Sequence, residues 1–171
     1  MASEIGVQTI QHTNGTDAMT IDSSGRVLMP QKPAFHVKPS SDQSNIATSS
    51  YVDVVFGTVV LDNGNNFANN KFTAPVAGTY LFGCNLRMNS IDTAANYYGL
   101  ALSKNGENGS FWLDLFDPGG NSTDLSVRFM HGVLILELAA NDTIGVQVRQ
   151  EVGTSQSDVK GDSRFFGHLI G

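Results

Sequence analysis

Three short runs of this sequence carry apolar side chains on both sides of a two-residue repeat. In FWLDLF, Phe111, Leu113 and Leu115 share one face, while Trp112 and Phe116 flank Asp114 on the other. In VLILEL, Leu134, Leu136 and Leu138 are opposed by Val133 and Ile135. The run from Tyr51 to Leu61 sets Val52, Val54, Phe56 and Val60 against Val55, Val59 and Leu61. A sheet in a two-layer antiparallel sandwich has one interior face, so a strand greasy on both faces must meet something beyond its own core. A ligand groove accounts for one such strand; three are better explained by another subunit.

The rest of the chain supplies the sandwich. Thr79 to Met88 alternates cleanly, with Tyr80, Phe82, Cys84, Leu86 and Met88 on one side and Leu81 the exception on the other. Thr143 to Gln150 repeats the pattern, with Ile144, Val146 and Val148 inward and Thr143, Gln147 and Arg149 outward. No window shows helical periodicity. Turn signals separate the runs: Asn63-Gly64, Asn105-Gly106, Asn108-Gly109 and Pro118-Gly119-Gly120, each supplying residues that tolerate turn geometry. At 171 residues the chain can bury a core unaided.

Charge and residue usage exclude several classes of function. Ten Lys and Arg stand against 16 acidic residues, a net charge of −6, and no basic cluster exists to follow a phosphate backbone, so nucleic acid is not an expected partner. No run approaches a membrane-spanning length, and MASEIGVQTIQ lacks the basic and apolar regions of a secretory leader, so neither membrane insertion nor ordinary secretion is expected. Cys84 is the only cysteine; among apolar neighbours it reads as a structural thiol. His12, His36, His131 and His168 form no HxH pair, and there is no G-x-S-x-G elbow, so cupin-type metal chemistry and a hydrolase are disfavoured and no enzyme is expected. Asp114, Asp117, Asn121 and Asp124 lie close together around DPGGNST; these hard oxygen donors are a candidate calcium site, with solvated turn residues as the alternative. Otherwise no cofactor is expected. N-x-S/T sequons begin at Asn14, Asn108, Asn121 and Asn141.

The same runs carry a family resemblance. PAF (Pro33 to Phe35), VVFGTVVLDNGNNFANNKFTAPVAGTYLF, LALSKNGE, GVLILELAANDTIGVQV and SRFFGHLIG fall in the order and spacing of a C1q-like domain of the C1q/tumour-necrosis-factor superfamily. Phe56, Asn63, Phe67, Phe72, Pro75, Gly78, Tyr80, Phe82, Asn105, Gly106, Leu136, Asp142, Val146, Phe166, Gly167 and Leu169 match its pattern, with Phe67 where the family usually has Tyr. The resemblance implies an all-β, ten-stranded antiparallel jelly-roll sandwich over 33–171, a core containing Phe56, Phe72, Tyr80, Phe82, Leu136, Val146, Phe166 and Leu169, and a homotrimer at the end of a stalk. No collagen-like Gly-X-Y repeat precedes the domain.

Residues 1–32 read as a short β-rich neck. GTDAMTIDSSGRVLMPQKPAF resembles the connectors of marine bacteriophage tail fibres. Ala18–Ile21 and Val27–Met29 can form two short strands around Asp22–Arg26, marginal alone. Three copies on an axis can bury Met19, Ile21, Val27, Leu28 and Met29, with Trp112, Phe116, Val133 and Ile135 in the interface of the head. The alternative is a strand pair folded back onto its own sandwich, against which Pro30 and Pro33 favour an extended link.

These readings converge on a homotrimeric knob of a virion appendage that adheres to a host-surface glycan or protein through repeated weak sites. Loops 89–96 and 117–124 hold the candidate contacts Asn89, Asp92, Asn96, Asp117, Asn121 and Asp124. Tyr97, Tyr98 and Trp112 can stack on sugars, with core or interface packing as the alternative. A purely structural trimerising cap and a secreted C1q-like signalling or lectin protein are the competing functions.

Overall fold

A computed structural model describes residues 5–171. In chain order the strands are β1 (Thr9–Gln11), β2 (Asp17–Ile21), β3 (Val27–Leu28), β4 (Ala34–Lys38), β5 (Tyr51–Asp53), β6 (Thr58–Asn63), β7 (Phe67–Ala68), β8 (Lys71–Thr73), β9 (Gly78–Ile91), β10 (Tyr97–Lys104), β11 (Glu107–Phe116), β12 (Leu125–Leu138), β13 (Thr143–Glu151), β14 (Asp158–Val159) and β15 (Arg164–Leu169). A 3-10 turn at Pro118–Gly120 is the sole helical element among the described residues.

β4 to β15 form two six-stranded sheets. The first runs β12-β9-β15-β4-β6, with β14 also on β9; the second runs β11-β10-β13-β8-β7, with β5 also on β13. Every ladder is antiparallel. The all-β jelly roll expected from the sequence is present, and setting aside the two-residue β7 and β14 leaves the ten strands that the resemblance implies.

Aromatic rings join the two sheets. Phe35, 2% exposed, stacks on Phe67 (5.3 Å) and Phe72 (4.9 Å), meets Phe165 edge-on (4.9 Å) and lies 6.2 Å from Phe82. Phe56 and Tyr80 extend the cluster. Aliphatic side chains, among them Leu86, Met88, Ile91, Leu100 and Val159, fill the remainder. The Cys84 thiol is buried and its pKa is pushed up by that burial, which suits packing and not nucleophilic attack.

Three sequence expectations are corrected. The Tyr51–Leu61 run is two strands: β5 pairs with β13 in one sheet and β6 with β4 in the other, and the chain crosses between them with Val54 and Phe56 buried. Asn108-Gly109 is no hairpin turn. Gly109 (φ +61°) lies inside β11 at a register shift, where a Cβ would stand 2.5 Å from the Tyr51 hydroxyl. Phe166 is on the outer surface, not in the core, because Phe165 takes the inward position and strand residues alternate. Gln147 points outward as expected, opposite Val146 and Val148, yet is buried there, its amide held by Gly109, Asp53 and Asn108. The Asn105-Gly106 turn is as expected, with both residues at positive φ between β10 and β11.

The loop before β13 is held by Asp142, which accepts from Asn105 Nδ2 (2.8 Å), Lys104 Nζ (2.8 Å) and Ala139 N (2.9 Å). These donors lower its pKa to about 2. A depressed carboxylate stabilises the fold above its ordinary pKa of about 4 and loses that contribution as pH falls. Asp142→Asn is therefore expected to lower the melting temperature at pH 7, with the gap to wild type closing as pH falls from about 5 to about 2. Phe35→Ala is expected to cost about 3–5 kcal/mol, read from urea midpoints at fixed protein concentration.

Candidate functional site

Three surfaces gather the residues that can make function. The first is the outer face of the β12-β9-β15-β4-β6 sheet. Register places Val133, Gly83, Phe166, His36 and Leu61 side by side across these five of its six strands, and Ile135, Leu81, His168, Ala34 and Asn63 in the adjoining row. Val133 is 62% exposed, Ile135 57% and Leu61 47%. Beyond the exposed His131, Phe129 and Val127 add further apolar surface along β12. The Phe166 ring covers Gly83, where a Cβ would lie 2.2 Å from its Cζ. Beside it a depression of about 650 Å³ is lined by Leu61, His36, Phe166, Asn85, Arg164 and His168. Partial burial, then the Arg164 and Lys38 charges, lower the pKa of His36, so the imidazole favours its neutral form on this apolar face.

The second surface is the end of the sandwich opposite Ala34 and Leu169, where β9 runs into β10. Loops 92–96, 117–124 and 152–157 meet there. Asp124 Oδ1 accepts from Thr93 N (2.9 Å) and Thr93 Oγ1 (2.8 Å), tying two of them. Ser90, Asp124, Ser126, Ser155 and Gln156 line a polar depression of about 510 Å³. Of the candidate contacts, Asn96, Asp117, Asn121 and Asp124 are exposed and Asn89 is half-buried. Asp92 is a correction: it is 3% exposed and serves as a strut. Burial opposes its charge, but the backbone N–H groups of Ser155, Ala94 and Thr154 outweigh that and lower its pKa. The GTSQS segment of the 152–157 loop carries no sequence feature beyond polarity; its role comes from contact with Asp92.

The acidic run does not converge. Asp114 Oδ2 accepts from His131 N (3.3 Å), Asp117 Oδ1 from Gly119 N (2.8 Å), and Asp124 turns to Thr93. Among the described residues no three His, Cys, Asp or Glu side chains are grouped to hold a metal ion.

The third surface is the outer face of the second sheet, with Trp112, Tyr97, Tyr51 and Arg149. β11 departs here from the expected alternation. Trp112 faces Ala101 and Asp114 faces Leu100 across a bulge at Leu113. The extra residue reverses the faces, so Leu115 becomes 58% exposed while Phe116 packs on the core under Arg128, whose guanidinium stands 4.3 Å from its ring. Phe116 thus leaves the expected interface set, and Trp112 lies on the opposite sheet from Val133 and Ile135. Tyr98 is fully buried, its hydroxyl bonded to Asp92 N and Ser157 Oγ.

Two antiparallel sheets in this strand order, one with an apolar outer face, and loops gathered at one end define a jelly-roll module of the C1q/tumour-necrosis-factor type. The chain belongs to the C1q domain family, whose model matches residues 34–170. Among solved structures it is similar to the globular domain of zebrafish complement 1qA protein, at 19% identity over 82% of this chain and 98% of that one, with a TM-score of 0.57. It is also similar to murine APRIL at pH 8.5, at 13% identity over 81% and 98%, again with a TM-score of 0.57. At these identities the likeness is one of fold. No curated protein matches the chain, and the tail-fibre resemblance of the neck is not shown by these comparisons. Among the described residues no helix is long and apolar enough to cross a membrane.

Because Asp92 ties the 152–157 loop to β9, Asp92→Asn is expected to speed amide hydrogen exchange at Thr154 and Ser155 on the order of tenfold while leaving the β9 amides protected.

Proposed function

We propose that this chain is the homotrimeric, receptor-binding head of an extended surface appendage. The observation that carries the reading is the outer face of the β12-β9-β15-β4-β6 sheet, where Val133, Phe166 and Leu61 share one register row, Ile135 stands in the next, and Phe129 is exposed two rows away beyond His131. Scattered surface leucines need no explanation, but large apolar side chains clustered on one sheet face of a folded protomer, interleaved here with His36, His131 and Asn85, mark an interface. Cyclic assembly closes such a face and leaves the loops at the far end free. Three copies of each loop then engage repeated groups on a surface at once, raising effective affinity without new contacts. C1q-type domains are binding and structural modules, in keeping with this role.

The neck supports the same arrangement. β1, β2 and β3 form a sheet of their own that pairs with neither sheet of the sandwich. Asp22 builds its turn, accepting from Ser24 N (2.9 Å), Arg26 N (3.0 Å) and Arg26 Nε (2.7 Å), with Gly25 at φ +77°. Val27, Leu28 and Met29 are about half exposed, while Met19 and Ile21 are half-buried. So small a sheet is marginal in water, and three necks side by side supply the missing packing. The resemblance of this segment to tail-fibre connectors supports a virion appendage as the carrier of the head, and a host-surface glycan or protein is the partner such a head would meet. Extracellular use agrees with the family.

Light scattering is expected to give three times the mass of one chain, stable to dilution into the micromolar range, and Ile135→Asp is expected to give single chains. A wild-type protein of single-chain mass overturns the reading.

A further inference from the structure

The outer face of the second sheet carries a prepared aromatic platform that the trimer does not explain. The benzo ring of Trp112 sits over Gly99 of β10, so close that a Cβ there would stand 2.0 Å from indole Cζ3. Tyr97 meets the indole edge-on at 6.3 Å and Tyr51 flanks it at 5.9 Å with a 48° tilt. Tyr51 is fixed in turn: Gly109 makes room for its hydroxyl, and the Arg149 guanidinium lies 4.8 Å from its ring. Two glycines on two strands thus clear space for two rings. The indole rests one side on the sheet and is 42% exposed.

The rim is polar and electrically balanced. Arg149 Nε and Nη2 hold Glu151 Oε2 at 2.7 and 2.5 Å. That pairing leaves Arg149 Nη1 and Glu151 Oε1 without a hydrogen-bond partner among the described residues. A donor and an acceptor beside an open aromatic plane match a pyranose ring, whose axial C–H groups lie on the plane while its hydroxyls reach the rim. The ion pair cancels its own charge, which favours a neutral sugar over a sulfated or sialylated one. The platform is also small for a protein partner, which needs about 20–30 residues a side.

We propose that Trp112, Tyr97, Tyr51 and the Arg149–Glu151 pair form a subsite for a neutral pyranose unit of a surface polysaccharide. The proposal rests on the surface-binding reading above and gives it a ligand class and a location. The subsite faces away from the proposed trimer contact, so each head presents three.

Trp112 is the only tryptophan in the chain, so its emission reports on the subsite directly. The full chain is titrated with dextran, mannan, galactan and chitin oligomers, and with dextran sulfate as the charged counterpart. At least one neutral polymer is expected to shift the emission saturably and to protect it from acrylamide, with dextran sulfate weaker. Trp112→Ala, assayed on immobilised polymer, is expected to lose about tenfold in affinity at unchanged oligomeric mass, and Gly99→Ala, which lifts the ring, is expected to weaken binding as well. The proposal is overturned if no neutral polymer acts, if dextran sulfate binds as tightly, if Trp112→Ala binds normally, or if acrylamide cannot reach the indole in the unliganded assembly. The last result would mean that a second copy covers the ring. A protein of single-chain mass that still shows the emission shift sustains the subsite while ending the trimer reading.

Discussion

The packing of Phe35 against Phe67, Phe72, Phe82 and Phe165 is the contact on which the other features depend. Phe35 comes from β4, the first strand of the sandwich, and Phe165 from β15, the last, and these two strands are hydrogen-bonded neighbours. Phe67 and Phe72 come from the opposite sheet. One aromatic cluster therefore closes the chain on itself and clamps the two layers. Aromatic rings suit this because each buries a large area with few rotatable bonds, and their tilted and edge-on contacts tolerate the angle between packed sheets.

Fixing Phe165 inward fixes what faces outward. With a strict alternation of two, Phe166 has no choice but the outer face, where it covers Gly83 and contributes to the apolar cluster. The same logic governs β12, on which Leu136 and Leu138 are buried and Val133 and Ile135 are left exposed. The assembly surface is the reverse side of the core strands: the sequence that builds the sandwich also builds the face that has to be covered.

β11 shows how local irregularity redistributes these roles. A bulge at Leu113 exchanges the faces of everything beyond it, sending Leu115 out and Phe116 in, and Gly109 adds a second register shift. Bulges at the edge of a sheet commonly re-aim a side chain, and here the strand between the two carries Trp112 over Gly99. The two outer faces thus differ in kind. One carries clustered apolar side chains interleaved with histidines across five strands, and the other is a single aromatic plane bounded by an ion pair.

Legible in the order of residues alone were the fold class, the alternation of β9 and β13, the Asn105-Gly106 turn, the β2–β3 hairpin around Asp22–Arg26, though not the third neck strand β1, and the surplus of apolar surface on β12. Each is carried by a period of two or by a residue suited to positive φ, and both are local properties legible without any partner strand. Packing and strand pairing settle the rest: β5 and β6 belong to different sheets, Phe165 and not Phe166 enters the core, Phe116 turns inward, Asp92 is a strut, and Trp112 lies over Gly99. These depend on register between strands distant in sequence. One added residue in one strand exchanges every side chain between core and surface, and the sequence carries no mark of where that residue falls until its partner is in place.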